Sequence, residues 1–148
     1  MTQTILIVED NPADILLIQR AFRQINLSHI SLQIVRDGDT AVFYLSGEGE
    51  YSDRERYPLP ILILLDLKLP RRSGHEILEW VRQQPDLKRL PIIMLTSSRE
   101  AVDVNQAYDL GINSYLVKPI GFTALVEMLR TLNLYWLMLN EPPECNCN

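Results

Sequence analysis

The sequence predicts an α/β fold, a five-stranded parallel sheet with helices on both faces. Five short apolar, β-branched runs occupy residues 4–8, 32–35, 61–65, 92–95 and 114–117, and helical patterns separate them. The first, third and fourth runs are apolar nearly throughout instead of alternating, which suits strands covered on both faces. The order is strand then helix, five times, and right-handed crossovers fold that order into an open three-layer sandwich.

The elements follow in order. Ile5, Leu6, Ile7 and Val8 form the first strand, and Glu9-Asp10 follow it. Asn11-Pro12 then provide a cap and a proline at the first helical position, with Asp14 three residues after the cap. Ile15, Ile18, Phe22 and Ile25 recur at helix spacing behind them. After strand 32–35, Ala41, Val42 and Leu45 mark a short second helix. Residues 47–60 are polar, charged and glycine-bearing, and read as a surface loop. Strand 61–65 ends at Asp66. Ile77, Leu78, Trp80 and Val81 give the third helix, stopped by Pro85. Strand 92–95 ends at Thr96. Ala101, Val104 and Tyr108 give a fourth helix, with Ser98 as its starting cap and Gly111 at its end. Strand 114–117 ends at Lys118, and the last helix runs from near Gly121 to about Asn140, where Pro142-Pro143 stop it. Residues 1–140 read as one domain and 141–148 as a disordered tail.

Composition narrows the function classes. A chain of 148 residues fills one good core and is short for two. With 47% apolar and 22% charged residues it is globular. Fourteen Lys and Arg stand against 19 Asp and Glu, for a net charge of −5, and no long basic run occurs, so no nucleic-acid partner is expected. The longest apolar runs, 61–65 and 134–139, fall far below the roughly 18 residues a membrane span needs. The N-terminus lacks the charge-then-apolar layout of a signal peptide. A cytoplasmic protein with no membrane partner is the expectation. Two cysteines, Cys145 and Cys147, lie in the last four residues and cannot frame a disulfide scaffold. They read as part of a frayed tail with no metal role.

In such a sheet, ligands bind outside the carboxyl ends of the strands, where the strand order switches. Glu9, Asp10, Asp66, Thr96 and Lys118 all fall at strand ends and converge if the first, third, fourth and fifth strands are neighbours. Three carboxylates in one cleft repel, and a hard divalent cation relieves them. Mg²⁺ takes oxygen ligands and keeps waters that a phosphate can displace. Lys118 and Thr96 add an ammonium and a hydroxyl, so the group describes a site for a phosphoryl group. A carboxylate can itself be the nucleophile and form an aspartyl-phosphate. Asp66 follows the most apolar strand and is the candidate. Taken singly, each residue has an ordinary reading as a turn, a cap or a solvated side chain; their joint placement at four strand ends points to a site.

At these residues the chain resembles the receiver domain of two-component response regulators. The matching text is ILIVEDNPAD, LILLDLKLPRRSG, PIIMLTSS and GINSYLVKP, and the likeness runs to about Leu132. The resemblance implies the (βα)5 flavodoxin-like receiver fold. It implies that Asp66 accepts phosphate from the histidine of a sensor kinase. Asp10 and Asp66 would bind Mg²⁺ directly, Glu9 through water, and the Lys68 backbone carbonyl would complete the set. Thr96 would hydrogen-bond the phosphoryl group, Lys118 would pair with another of its oxygens, and Tyr115 would be the aromatic that swings inward when the threonine moves. The Lys118-Pro119 bond is usually cis in this family. Ser97 stands where many receivers carry Ala, and Lys68 and Ser98 occupy positions that tune dephosphorylation. The GEGEY loop, LDLKLPRR, PDLKRLP and the pair Tyr135-Trp136 further resemble the stand-alone regulators paired with cyanobacterial phytochromes. That narrower likeness implies a phytochrome as the kinase partner.

Competing readings have weaker support. A phosphatase of the haloacid dehalogenase type needs a second Asp two residues after the nucleophile, and that position is Lys68. A flavodoxin-like cofactor binder needs Ser, Thr or Gly after the first strand, where Glu9-Asp10 would repel a phosphate. A pseudo-receiver that only binds partners would not need Asp10, Asp66, Thr96 and Lys118 together. The protein therefore reads as a non-enzymatic switch that assists its own modification. Arg71 and Arg72 read as a kinase or phosphate contact or as a solvated basic loop, and His29 and His75 as surface residues. In the last helix, Leu125, Met128, Leu129 and Leu132 already give a core-facing stripe. The unbroken apolar run 134–139 that follows needs a second covering surface. A homodimer through the C-terminal helix, with Tyr135 and Trp136 at its interface, is the expectation; the alternative is that the run folds back over its own domain.

Overall fold

The computed structural model describes residues 2–144. The expectations for Cys145 and Cys147, and for the end of the 141–148 tail, lie outside the described residues. Five parallel strands, β1 (Gln3–Val8), β2 (Ile30–Val35), β3 (Leu62–Leu65), β4 (Ile92–Thr96) and β5 (Ser114–Val117), form one sheet in the order β2-β1-β3-β4-β5. Helices α1 (Pro12–Ile25), α2 (Gly38–Ser46), α3 (Gly74–Gln83), α4 (Ala101–Asp109) and α5 (Phe122–Asn133) connect or follow them. The predicted fold class is the observed one.

The sheet's two faces account for the apolar runs. Successive strand side chains point to opposite faces. Leu6, Val8, Ile63, Leu65, Ile92 and Met94 pack with the side chains of α2 and α3, while Ile5, Ile7, Leu62, Leu64, Ile93 and Leu95 pack under α1 and α5. Every residue of β3 is buried, which accounts for its uninterrupted apolar sequence. Register then fixes the strand ends. Val8 pairs with Leu65, so Glu9 and Asp66 emerge side by side; Thr96 pairs with Val117, so Lys118 emerges next to it. The reversal of strand order between β1 and β3 opens the cleft there.

Helix starts follow local chemistry. The Asn11 side chain accepts the Ala13 and Asp14 N–H groups ahead of Pro12, as expected. Ser73 and Glu76 form a reciprocal capping box at α3. Gly74 in its first turn packs so tightly that a Cβ there would lie 2.4 Å from the Asp66 carbonyl oxygen, which ties α3 to the strand end.

Three local expectations need correction, and a fourth gains detail. Ser98 is not the cap of α4: the helix begins at Ala101, Glu100 holds the cap position, and the Ser98 hydroxyl instead donates to Asp103 at 2.5 Å. The 47–60 stretch lies on the surface between α2 and β3, as expected, and is an ordered loop. It holds a 3-10 turn at Gly49–Ser52, packs Tyr51 at a tilt and Tyr57 edge-on against the buried Tyr44, and sends Arg54 to the Tyr44 and Leu45 carbonyls at the end of α2. The Lys118-Pro119 peptide is trans, the form X-Pro bonds favour by about 0.5–1 kcal/mol. His75 is half-buried and hydrogen-bonds the Asp103 carbonyl at 3.1 Å.

Past Asn133 the chain continues as a π-helical segment, Leu134–Leu139. Trp136 and Leu137 fold back against the α1/α5 side of the core. Leu134, Tyr135, Met138 and Leu139 are exposed. The run is thus divided between its own domain and the surface, and Trp136 in particular is partly spent on its own core. No helix among the described residues is long and apolar enough to cross a membrane.

Candidate functional site

The carboxyl ends of β1, β3, β4 and β5 border a cleft of about 560 Å³ lined by Glu9, Asp10, Asp14, Asp66, Lys68, Thr96 and Lys118, with Ser97 to Glu100 on one rim. Glu9 and Asp66 are buried at 2% and 8% exposure, whereas Asp10 is exposed. Carboxylate oxygens of Glu9, Asp10 and Asp66 all lie within 4.8 Å of one another. Opposite ligands across Mg²⁺ stand about 4.2 Å apart, so a small side-chain rotation or one bridging water fits these three around such an ion. The donors are all hard oxygens, which suits Mg²⁺ or Mn²⁺ and not a soft metal.

Lys118 organises the cleft. Its ammonium donates to Asp14 at 2.8 Å, Glu9 at 2.9 Å and Asp66 at 3.2 Å. Burial works against the ammonium, but the Asp14 and Glu9 carboxylates bonded to it, with the charge of Asp66, outweigh that and hold its pKa above the ordinary lysine value. Glu9 is pushed up to about 7, first by burial and then by the neighbouring Asp66, against the pull of Lys118. The other Glu9 oxygen accepts the Asn11 N–H at 3.1 Å. Asp66 is pinned through one oxygen, which accepts the Leu67 N–H at 2.7 Å. Its other oxygen faces Lys118.

Thr96, 2% exposed, accepts the Ser98 N–H at 3.4 Å, and the Tyr115 hydroxyl donates to the Ser98 carbonyl at 3.0 Å. Ser98 therefore joins the two. Lys68 is exposed on the cleft rim. Arg71 and Arg72 turn away from the cleft and pair with Asp39, Arg72 at 2.9 Å. His29 is exposed, as expected. Asp14 is the site residue that sequence reasoning missed. Its place after Asn11-Pro12 explains it as an N-terminal helix acid, and its partner lies 104 positions away. Its position four residues after Asp10, in the first turn of the helix that leaves the cleft, was the available signal.

Comparison with known proteins identifies the family and the fold. The family model for the response regulator receiver domain matches residues 5–130. Response regulator Rcp1 of Synechocystis sp. is 42% identical over 135 residues, covering 91% of this chain and 89% of Rcp1. The phosphorylated cyanobacterial phytochrome response regulator RcpA superposes with a TM-score of 0.89 at 37% identity, covering 97% of this chain and all of that one. The Mn²⁺-bound form of Rcp1 superposes with a TM-score of 0.85 at 39% identity, covering 96% of this chain and 99% of the other. A family match over most of the chain, on a sheet whose strand ends gather the acidic cluster and lysine, makes this chain a member of the response regulator receiver family.

Proposed function

We propose that the chain is a phosphoacceptor switch whose Asp66 takes a phosphoryl group from a sensor histidine kinase. The observation that carries the reading is one buried carboxylate, Asp66, at the end of the central strand, with the Lys118 ammonium 3.2 Å from the oxygen that no backbone N–H holds. Phosphoryl transfer asks mainly for in-line positioning and charge neutralisation, and little acid–base work. The unpinned Asp66 oxygen forms the new O–P bond as the donor's P–N bond breaks, and that electron pair stays on the imidazole nitrogen. Lys118 offsets charge on the equatorial phosphoryl oxygens. Asp10, Asp66 and the Lys68 carbonyl would hold Mg²⁺ directly, with Glu9 acting through water. When bound, that ion supplies the positive charge that lets three carboxylates share a cleft with a phosphoryl dianion. The protein turns over no separate substrate.

The signal is a two-state shift. A Thr96 hydroxyl drawn to the phosphoryl group releases the Ser98 N–H, and Ser98 also holds the Tyr115 hydroxyl. Displacing Ser98 frees Tyr115 to move inward. The likeness to Rcp1 and RcpA supports a phytochrome as the kinase, and hence a cytoplasmic protein. The exposed Leu134, Tyr135, Met138 and Leu139 support a homodimer through the C-terminal segment. Incubation with Mg²⁺ and acetyl phosphate tests the central reading. Wild type gains one phosphoryl group and Asp66→Asn gains none; equal labelling of the two refutes it.

A further inference from the structure

We propose that Asp14 is a positioning residue that acts through Lys118, a counter-anion that competes with the phosphoryl group for the ammonium. The inference rests on Asp66 being the phosphoacceptor. An ammonium has three hydrogens to donate. In the resting protein all three are committed, to Glu9, Asp14 and Asp66, and the Asp14 contact is the shortest at 2.8 Å. A phosphoryl oxygen can gain Lys118 only when a carboxylate gives it up.

Asp14 is the carboxylate best placed to do so. Glu9 is buried, and its second oxygen is held by the Asn11 N–H. Asp66 carries the modification. Asp14 stands outside the trio whose oxygens cluster for a cation. Its side chain is 31% exposed and can turn into water. Its seat in the first turn of α1 favours a negative charge whether or not Lys118 is present. Asp14 therefore lowers the cleft's affinity for a phosphoryl group in two ways with the same sign. It occupies one hydrogen of Lys118, and its own charge repels the incoming dianion.

Neutral variants give the test, read with Mg²⁺ alone and with beryllofluoride at saturating Mg²⁺. Asp14→Asn is expected to bind beryllofluoride roughly threefold to fivefold more tightly than wild type, the scale of a part-exposed ion pair. Mg²⁺ alone is expected to bind it more weakly, because the same lost charge had favoured the dication. A merely structural defect would weaken both. Asp14→Glu keeps the charge and returns both affinities to within about twofold of wild type. The beryllofluoride difference shrinks as salt is raised. Asp14→Ser removes the charge with another residue suited to a first helical turn, and stands in if Asp14→Asn does not fold. Beryllofluoride affinity that is unchanged or weaker in the folded neutral variant overturns the proposal. Beryllofluoride binding to wild type that ignores Mg²⁺, or that survives Asp66→Asn, overturns the phosphoacceptor reading itself and this inference with it.

Discussion

Replacing Lys118 by Met removes the ammonium that bonds three carboxylates and keeps an unbranched side chain one atom shorter. The ammonium bonds Asp14, Glu9 and Asp66 at 2.8–3.2 Å and is itself mostly buried. Deleting one partner of a buried ion pair costs about 3–5 kcal/mol, because the remaining charge stays buried and unpaired. Asp14 is part-exposed, so its share falls toward the surface value of about 0.5 kcal/mol. Glu9 and Asp66 remain, buried side by side with nothing between them. The expected loss is about 3 kcal/mol without metal, or roughly 6–12 °C in Tm for a domain of this size. The assay is thermal unfolding in EDTA at pH 8, above the value of about 7 to which Glu9 is raised in wild type; losing Lys118 raises Glu9 further, and proton uptake there sets the ceiling on the loss. Mg²⁺ should then raise the Tm of Lys118→Met by more than it raises wild type, since the ion replaces the missing charge and meets no competing ammonium. A metal-free Lys118→Met that melts within about 1 °C of wild type would refute the reasoning.

Further outcomes follow from the same structure. Asp10→Asn should lose most of the Mg²⁺-induced rise in Tm and be more stable than wild type in EDTA, because one of three clustered carboxylates is gone; an equal Mg²⁺ response in both proteins contradicts the site. Burial holds the Tyr44 phenol up at about 12, against the Arg54 charge. Its folded value lies above the unfolded one, so its stabilising contribution is complete below pH 10 and lost as pH rises through 12. Tyr44→Phe should start about 1 kcal/mol lower, having lost its bond to the Pro58 carbonyl, and fall less steeply between pH 10 and 12; denaturant curves of equal steepness count against this. Tyr135→Ser combined with Met138→Ser alters only exposed side chains and should give a folded monomer that still accepts phosphate. Sedimentation with and without beryllofluoride is the measurement, and a wild type monomeric in both states rules the dimer out. Trp136→Ala should instead destabilise the monomer, since that ring packs on its own core.

The strand ends were legible because each closes an apolar run. Glu9, Asp10, Asp66, Thr96 and Lys118 could be aligned once five parallel strands were assumed, and the register Val8 to Leu65 brings the carboxylates together. Asp14 was not legible as a partner of Lys118 because Asn11-Pro12 gave it a complete local explanation. Ser98 misled for the related reason that serine before a helix reads as a cap, while here its hydroxyl serves Asp103. The 47–60 insertion looked like a loop by composition, yet its order comes from Tyr44, Tyr51 and Tyr57 meeting across turns and from Arg54 reaching back to α2. The apolar run 134–139 could not be divided between core and surface, because a run with no polar residue carries no facial period for either an α- or a π-helix to reveal.

The central claim is that Asp66 carries the phosphoryl group. Phosphorylation with acetyl phosphate and Mg²⁺, followed at once by borohydride reduction and peptide mapping, tests it most directly. Reduction should convert Asp66 alone, and omission of Mg²⁺ or the change Asp66→Asn should abolish the product. A reduced residue elsewhere, or an adduct that persists in Asp66→Asn, would contradict the account.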